Sequence, residues 1–454
     1  MSQHSTVTKN LPTKLDLIAN RSVIDPKCVF NNLGHVLDLN LLRNCFNDLD
    51  GSKAKGVDGI TKEDYRENLQ ANLENLLGSI RNGSYHPKPS RIVEIPKPDG
   101  STRPLAIACF EDKIIQEAVR RIVEAIYEPH FLACSFGFRP NKNPHQALAT
   151  LTVHLNKETE TNAVLDIDLR KYFNTIPHAP LVEFLKYRIS DARFLKLMSK
   201  LLKAPSLVGD KIVHNEIGSP QGSILSPLLA NIYLHFVLDL WFRKFSKKLT
   251  GGKAHLVRYA DDVVFTFPDL KTAELFKGGI VERLAQFGLS INESKTKLIP
   301  FGKKAAKEAE AKRLKKQTFT FLGFTVYIGK STNRTTKKQF YRIKLQTDGK
   351  RMRTKIQAIK EFIRANRHDP ELLAKVRQRV IGYLNYFAVT DNSRKISGFM
   401  FQVTRSLFKW FNRRSQKRSF TWKRFNEFLA KNKFPKSHVR VNIIELVKYT
   451  QSCW

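Results

Sequence analysis

One stretch limits what this chain can fold into more than any other: HLVRYADDVVFTF, residues 255–267. Two runs of β-forming residues are interrupted only at Ala260, Asp261 and Asp262, which reads as a strand, a tight turn and a returning strand. Adjacent carboxylates repel, and among β-formers they are costly unless something offsets their charge. A tip that gathers them suits a hard divalent ion such as Mg²⁺, which takes oxygen ligands. The plain alternative is an ordinary hairpin turn, where Asp is common. This segment alone leaves both open.

A second acidic run, AVLDIDL at 163–169, reads as a short strand. Alternation sets Asp166 and Asp168 on one face, opposite Leu165, Ile167 and Leu169. Such a pair on a buried strand needs a cation or a basic partner, and periodicity does not choose between the two residues as the ligand. If the two acidic runs are adjacent strands, they form a two-metal centre with ions about 3.5–4 Å apart. Such a centre activates a 3′-hydroxyl and stabilises the leaving oxygens of an in-line phosphoryl transfer.

The surroundings read as a mixed α/β body followed by a basic helical one. Thr61 and Asp64 stand in capping-box spacing before a helix that carries Leu69, Leu73, Leu76, Leu77 and Ile80. RIVEI and STRPLAI flank the turn PKPDG as a hairpin, and Ile114, Ile115, Ala118, Ile122, Val123 and Ile126 mark an amphipathic helix. One helix is expected from Pro180 to about Lys203, a strongly apolar one from Ser226 to Phe245, and another over 271–287. GLSINESKTKLI and FTFLGFTVY read as strands, and 302–316 as a charge-dense linker or exposed helix. After residue 350 the pattern is helical, with aromatics such as Tyr383, Tyr386, Phe399, Trp410 and Trp422 set among Lys and Arg. At about 150 residues per domain, 454 residues suggest roughly three units.

Charge narrows the partners. Lys and Arg number 78 against 41 Asp and Glu, a net of +37. Residues 301–454 hold 38 basic and 9 acidic residues, a net of +29, whereas residues 1–300 carry only +8. A surface of that sign, interleaved with aromatics, calls for a polyanion, and nucleic acid fits it better than an anionic membrane. The Cys residues at 28, 45, 109, 134 and 453 never form a CxxC pair, which argues against a disulfide framework or a zinc knuckle. With no signal-like start and no run of eighteen apolar residues, a cytoplasmic protein of a reducing compartment is the expectation.

Ten blocks in order carry a resemblance: KGVDG (55–59), IPKPDGSTRPLAI (95–107), SFGFRPNKNPHQAL (135–148), DLRKYFNTIPH (168–178), GSPQGSILSPLLANIYL (218–234), RYADD (258–262), GLSINESKTKL (288–298), FLGF (321–324), GYLNYF (382–387) and NRRSQKRSFTW (412–422). With them the chain resembles the reverse transcriptases encoded by bacterial group II introns, the intron maturases. The resemblance implies a right-hand polymerase, an α/β (α+β) fold whose fingers and palm hold antiparallel sheet, followed by a helical thumb. It divides the chain into an N-terminal extension (1–50), fingers and palm (51–325), a thumb or maturase domain (326–411) and a basic C-terminal segment (412–454).

By the same resemblance, Asp168, Asp261 and Asp262 are the catalytic carboxylates and metal ligands, with Asp166 set aside. Phe173 excludes a 2′-hydroxyl, the plain alternative being that Tyr172 and Phe173 are core residues of the palm. Lys97 and Arg103 clamp the triphosphate, though without the motif they read equally well as surface residues, and Gln221 packs beside the nascent base pair. Arg139 meets template or nucleotide phosphate, and Lys295 touches the primer backbone or steadies the site. The implied cofactors are two Mg²⁺ ions, with Mn²⁺ as a substitute, and dNTP substrates. The implied partners are group II intron RNA, an RNA template with a DNA primer, and target DNA, with association with the nucleoid when engaged on DNA. Asn174 and Pro177 depart from the family's usual Asp. The PQG core argues against relatives that diversify host genes, and lone Cys453 against a zinc-bound endonuclease module. Two other readings are a free-standing enzyme of host DNA repair or phage defence, and an inactive splicing factor, which the intact carboxylates disfavour.

Overall fold

The computed structural model describes residues 13–96, 100, 102–157, 161–333, 335–413 and 420–447. In chain order the strands among them are β1 (Ser90–Pro96), β2 (Thr102–Ile107), β3 (Ala163–Asp168), β4 (Ser206–Val208), β5 (Lys211–Val213) and β6 (His255–Tyr259). They continue with β7 (Asp262–Phe267), β8 (Lys297–Pro300), β9 (Phe319–Phe321), β10 (Phe324–Thr332) and β11 (Gln339–Thr347). The result is a mixed α/β fold with antiparallel sheets, followed by a helical region, as the sequence leads one to expect. It divides into two units, neither a continuous stretch: Met1–Asn141, Leu169–Lys244 and Gly278–Asn292 form the first, and Lys142–Asp168, Phe245–Lys277 and Glu293–Trp454 the second.

The first unit is organised on helix Phe110–Tyr127. Its predicted apolar stripe, Ile114, Ile115, Ala118, Ile122, Val123 and Ile126, is wholly buried. The expected hairpin forms, β1 and β2 pairing antiparallel from Arg91↔Ile107 to Pro96↔Thr102. Its sheet is completed by β4, parallel to β1, and β5. Two helix boundaries differ from the sequence expectation. The capping box at Thr61 and Asp64 opens only Lys62–Glu67; the chain leaves helical geometry at Asn68 (φ −121°, ψ 38°) and resumes as Leu69–Arg81. The single helix expected from Pro180 to Lys203 is two, His178–Lys186 and Ala192–Leu202. Between them Ile189 bridges to Phe30, and Asp191 caps the second helix through the Phe194 amide at 3.0 Å. A partner far away in sequence breaks the helix, which no local pattern announces. The apolar helix from Ser226 extends beyond Phe245 to Thr250, with a π-turn at His235–Asp239.

In the second unit, β6, β7, β3 and β8 form an all-antiparallel sheet in that order. One face carries Leu165, Ile167, Phe265 and Phe267, and Phe276 packs there with ring centroids 4.7 Å from Phe265 and 5.2 Å from Phe267. The other face carries Asp166 and Asp168. Its far end is covered by helix Pro144–Asn156, whose His154 ring stacks on His255 of β6 at 4.0 Å. Of the expected strand GLSINESKTKLI, only the last three residues are strand, in Lys297–Pro300. Segment 302–316 holds a helix, Lys303–Ala311, that buries only Ala306.

β9, β10 and β11 form a three-stranded sheet. β11 was not among the expected strands, although its buried Ile343, Leu345 and Thr347 alternate with Arg342, Lys344 and Gln346 in the period-2 pattern of a half-buried strand. Helices Gly349–Ala365, Leu372–Phe387, Ser393–Phe411 and Trp422–Lys431 follow. Many of their aromatics pair with one another, as in the stacks of Tyr383 on Phe399 (3.7 Å) and Phe408 on Trp422 (4.1 Å). Among the described residues, no helix is long and apolar enough to cross a membrane.

Candidate active site

β6 ends at Tyr259 and β7 begins at Asp262, so only Ala260 and Asp261 form the turn. A two-residue hairpin loop requires positive φ to match the twist of its strands, and Ala260 adopts φ 57°. A non-glycine residue there carries strain of about 1–2 kcal/mol. Arg258, fully buried behind the turn, donates from Nη1 to the Ala260 carbonyl at 3.3 Å and supports it. The sequence reading gave Arg258 no role. Its signal was a lone guanidinium in an otherwise apolar strand.

The two neighbouring carboxylates therefore occupy different positions, Asp261 in the turn and Asp262 on the strand. Asp262 lies directly across from Asp168 in the β3–β7 ladder. Directly opposed residues of an antiparallel pair share a face, so carboxylates distant in sequence become neighbours. Lys295 Nζ lies 3.5 Å from Asp168 Oδ2. One pleat inward, Asp166 faces Val264 on one side and Lys297 on the other.

Crowding appears in the proton affinities. Asp262 keeps solvent access at its tip, yet its carboxyl is pushed up to about 6, first by the protein mass around it and then by Asp261 and Asp168, against the pull of Arg351 and Lys295. Asp166 is pushed up to about 7 by burial, then by Asp262, with Lys297 opposing and Asp168 adding. Both shifts come first from burial and only then from neighbouring carboxylates that the local cations do not fully balance. Among the described residues, no group of three or more His, Cys, Asp or Glu is drawn together as a ready metal cage. The donor set is nonetheless one that a hard cation fits: aspartate oxygens on a sheet end, destabilised by mutual repulsion. Mg²⁺ is commonly held by one or two carboxylates, with substrate phosphates and water completing the shell.

The remaining candidates belong to the first unit, apart from Lys97, which lies outside the described residues. Tyr172 is core, its hydroxyl donating to the Ala230 carbonyl at 2.6 Å. Phe173 is half-buried, edge-on to exposed Phe138 at 6.5 Å. Phe173 lies on the helical turn Tyr172–Thr175, which is laced to the separate loop that carries Gln221. The Ser219 amide donates to the Phe173 carbonyl (2.7 Å), the Gly218 amide to Ile176 (2.8 Å) and the Ala106 amide to Gln221 (2.6 Å). His178 donates from Nε2 to the Gly218 carbonyl at 2.6 Å. Gly218 (φ 84°) has no room for a Cβ, which would lie 2.8 Å from the Asn174 oxygen. Arg103 is exposed on β2, the strand that reaches Gln221 through Ala106. Arg139 points inward instead. It is nearly buried and grips Glu128 at 2.8 Å as well as the Leu132 and Ser135 carbonyls. A phosphate would have to displace Glu128 to reach that guanidinium.

A family model described as reverse transcriptase (RNA-dependent DNA polymerase) matches residues 95–326. Among curated proteins, Protein YkfC of Escherichia coli (strain K12) is 38% identical over 187 residues, 41% of this chain and 49% of that one. Group II intron-encoded protein LtrA of Lactococcus lactis subsp. cremoris is 38% identical over 195 residues, 42% of this chain and 32% of its own. An uncharacterized 91 kDa protein in a cob intron of Schizosaccharomyces pombe is 34% identical over 232 residues, 50% of this chain and 28% of its own. The chain spans less than half the length of the curated relatives it matches.

Proposed function

The chain belongs to the reverse transcriptase (RNA-dependent DNA polymerase) family, and from that premise we propose that it copies RNA into DNA from a primer 3′ end, on behalf of a mobile group II intron whose RNA it binds and whose splicing it assists. The observation that carries the polymerase reading is the register that sets Asp168 opposite Asp262, with Asp261 in the adjoining turn. The intron reading rests on the similarity to intron-encoded proteins and on the +29 charge of residues 301–454.

In this reading Asp168, Asp261 and Asp262 hold two Mg²⁺ ions, or Mn²⁺ in their place. Bound there, the ions supply Lewis-acid activation of the primer hydroxyl and charge neutralisation at the departing pyrophosphate. The chain's own residues do the rest. Lys295 keeps a positive charge beside Asp168 and along the primer backbone. Lys97 and Arg103 hold the triphosphate of the dNTP, whose charge grows toward the leaving group. The Phe173 ring fills the space of a 2′-hydroxyl, and Gln221 borders the nascent pair. Arg139 acts by holding the 132–139 loop instead of touching phosphate.

The test is primer extension by the purified chain with an RNA template, a DNA primer, dNTPs and Mg²⁺. Extension that EDTA stops supports the reading; none under these conditions overturns it. Replacing the ring in Phe173→Ala should raise the kcat/KM ratio of rNTP over dNTP by about tenfold or more. An unchanged ratio would make Phe173 a packing residue. For the intron role, the protein should hold its flanking intron RNA against excess unrelated structured RNA, and should promote splicing at lower Mg²⁺ than the naked RNA needs.

A further inference from the structure

Helices Gly349–Ala365 and Ser393–Phe411 pack against each other in the second unit, and between them runs a groove of about 380 Å³. Lys360 and Arg364 line it from the first helix, and Arg405, Lys409 and Trp410 from the second. The Lys360 ammonium donates to Gln402 Oε1 at 3.0 Å, which ties the two walls together and fixes the groove's width. One carboxylate, Glu361, also lines it, and Gln357 donates to that carboxylate at 2.7 Å. Among the described residues, Arg364, Arg405 and Lys409 make no ion pair with an acid. Like charges crowded at one place without acidic partners cost stability. Burial does not account for them either, since all three are exposed.

Trp410 supplies the second half of the chemistry. It is half-buried in a helix whose Phe399, Phe408 and Phe411 have ring partners, Phe399 with Tyr383 and Phe408 with Trp422 among them, while Phe401 stands exposed. Trp410 instead has cations around it, Lys409 at 5.6 Å and Arg413 at 5.7 Å from the ring centroid. An indole bordered by cations, at the lip of a basic groove, combines a stacking surface with phosphate-binding charge. Grooves that track single-stranded nucleic acid pair those two elements, whereas a duplex offers phosphates but keeps its base faces stacked inside.

We propose that this groove is a binding site for an unpaired nucleotide of a single-stranded nucleic acid, with the base stacked on Trp410 and the flanking phosphates held by Arg364, Arg405 and Lys409. The site deepens the proposed RNA role of the basic C-terminal third, and it rests on that reading for its choice of polyanion. The same chemistry serves an unpaired loop of the intron RNA or a displaced DNA strand, and the two are separated by the probe.

The full chain is titrated by fluorescence anisotropy with an unstructured 12-nucleotide RNA of alternating C and A, the same sequence as DNA, and a 12-base-pair RNA duplex. Trp410→Ala should weaken the single strand about tenfold and the duplex hardly at all. Arg405→Glu, at an exposed position where folding is not at stake, should cut the slope of log K against log salt by about 0.7 for each phosphate the groove no longer neutralises. Both variants should keep the wild-type kcat on a short primer–template. A stronger loss on RNA than on DNA assigns the site to intron RNA, and the reverse assigns it to a displaced strand. Equal loss on duplex and single strand, or no loss with Arg405→Glu, overturns the site while leaving the polymerase reading intact. A parallel fall in primer-extension kcat also overturns it, by placing the groove on the catalytic path. A wild-type chain that extends no primer at all would instead remove the premise beneath it.

Discussion

Along the polar face of the β6-β7-β3-β8 sheet, the two ends treat their side chains in opposite ways. At one end, Asp168 stands across from Asp262 with Asp261 in the adjoining turn, and local lysines and arginines only partly offset their charge. At the other, helix Pro144–Asn156 closes over the sheet, and the polar groups His154, His255 and Thr266 are buried almost completely. Among the described residues, neither ring nitrogen of His154 has a hydrogen-bond partner, nor does the Thr266 hydroxyl. The closed end tolerates this at His154 because burial pulls that imidazole well below 6.5, with positive charge on His255 and Lys157 acting in the same direction, so the ring stays neutral. The open end keeps charge where it destabilises the chain, which is how a site that must attract cations differs from one that must hold a fold.

The sharpest way to break this comparison is to remove charge from the open end. Asp168→Ala or Asp261→Ala should abolish primer extension, a loss of at least about 100-fold. The thermal midpoint should hold or rise, because repulsion is relieved, and RNA binding should survive. Asp166→Ala should keep most activity. An active Asp261→Ala enzyme, or a dead Asp166→Ala beside a live Asp168→Ala, would show the ligand set to be wrong.

The contrast between the two ends was half-legible in the sequence. Alternation sufficed to put Asp166 and Asp168 on one face of β3, because a strand's period is a local property. The pairing of Asp168 with Asp262 was not legible from spacing, since register between distant strands is set by tertiary packing. Family resemblance supplied the ligand set, but not the division of Asp261 to the turn and Asp262 to the strand. Arg258 was visible as an oddity in an apolar run, yet whether its guanidinium points to solvent or supports a turn depends on which face is covered. His154 and His255 gave no signal, because a lone His on an apolar face looks the same whether or not another ring lies against it.

A substitution at the closed end should reverse the pattern. His255→Ala removes one ring of the stack and leaves a cavity beneath the helix, at a cost of about 2–3 kcal/mol, while kcat of the folded fraction stays near wild type. The pH dependence carries its own sign. The unfolded chain takes up a proton at His154 near the ordinary value of 6.5, and the folded chain resists it. The stability that His154 allows above about 6.5 is therefore lost progressively as pH falls below it. Urea midpoints measured from pH 7.5 down to 5.5 should drop less steeply in His154→Leu than in wild type. Equal slopes would mean that the pair is not buried in its neutral form.

The smallest expected effect lies between the two ends, at Asp166. Its carboxyl is pushed up from 3.8 to about 7, so the folded chain favours the protonated form and the unfolded chain does not. The contribution of this residue is then fully favourable below about 3.8 and is lost as pH rises through about 7. Asn resembles the protonated acid in shape and cannot ionise. In metal-free protein, Asp166→Asn should therefore match wild type in stability near pH 4, gain on it as pH climbs, and level off above about 7. The gain should appear as a rise in the thermal midpoint at pH 8 that is absent near pH 4. Saturating Mg²⁺ should shrink that gain, because cations on the neighbouring carboxylates remove the repulsion that made Asp166 costly. A gain independent of pH would assign the cost to packing, and a loss at pH 8 would mean that Lys297, across the strand from Asp166, outweighs the carboxylates and holds Asp166 as a paired anion.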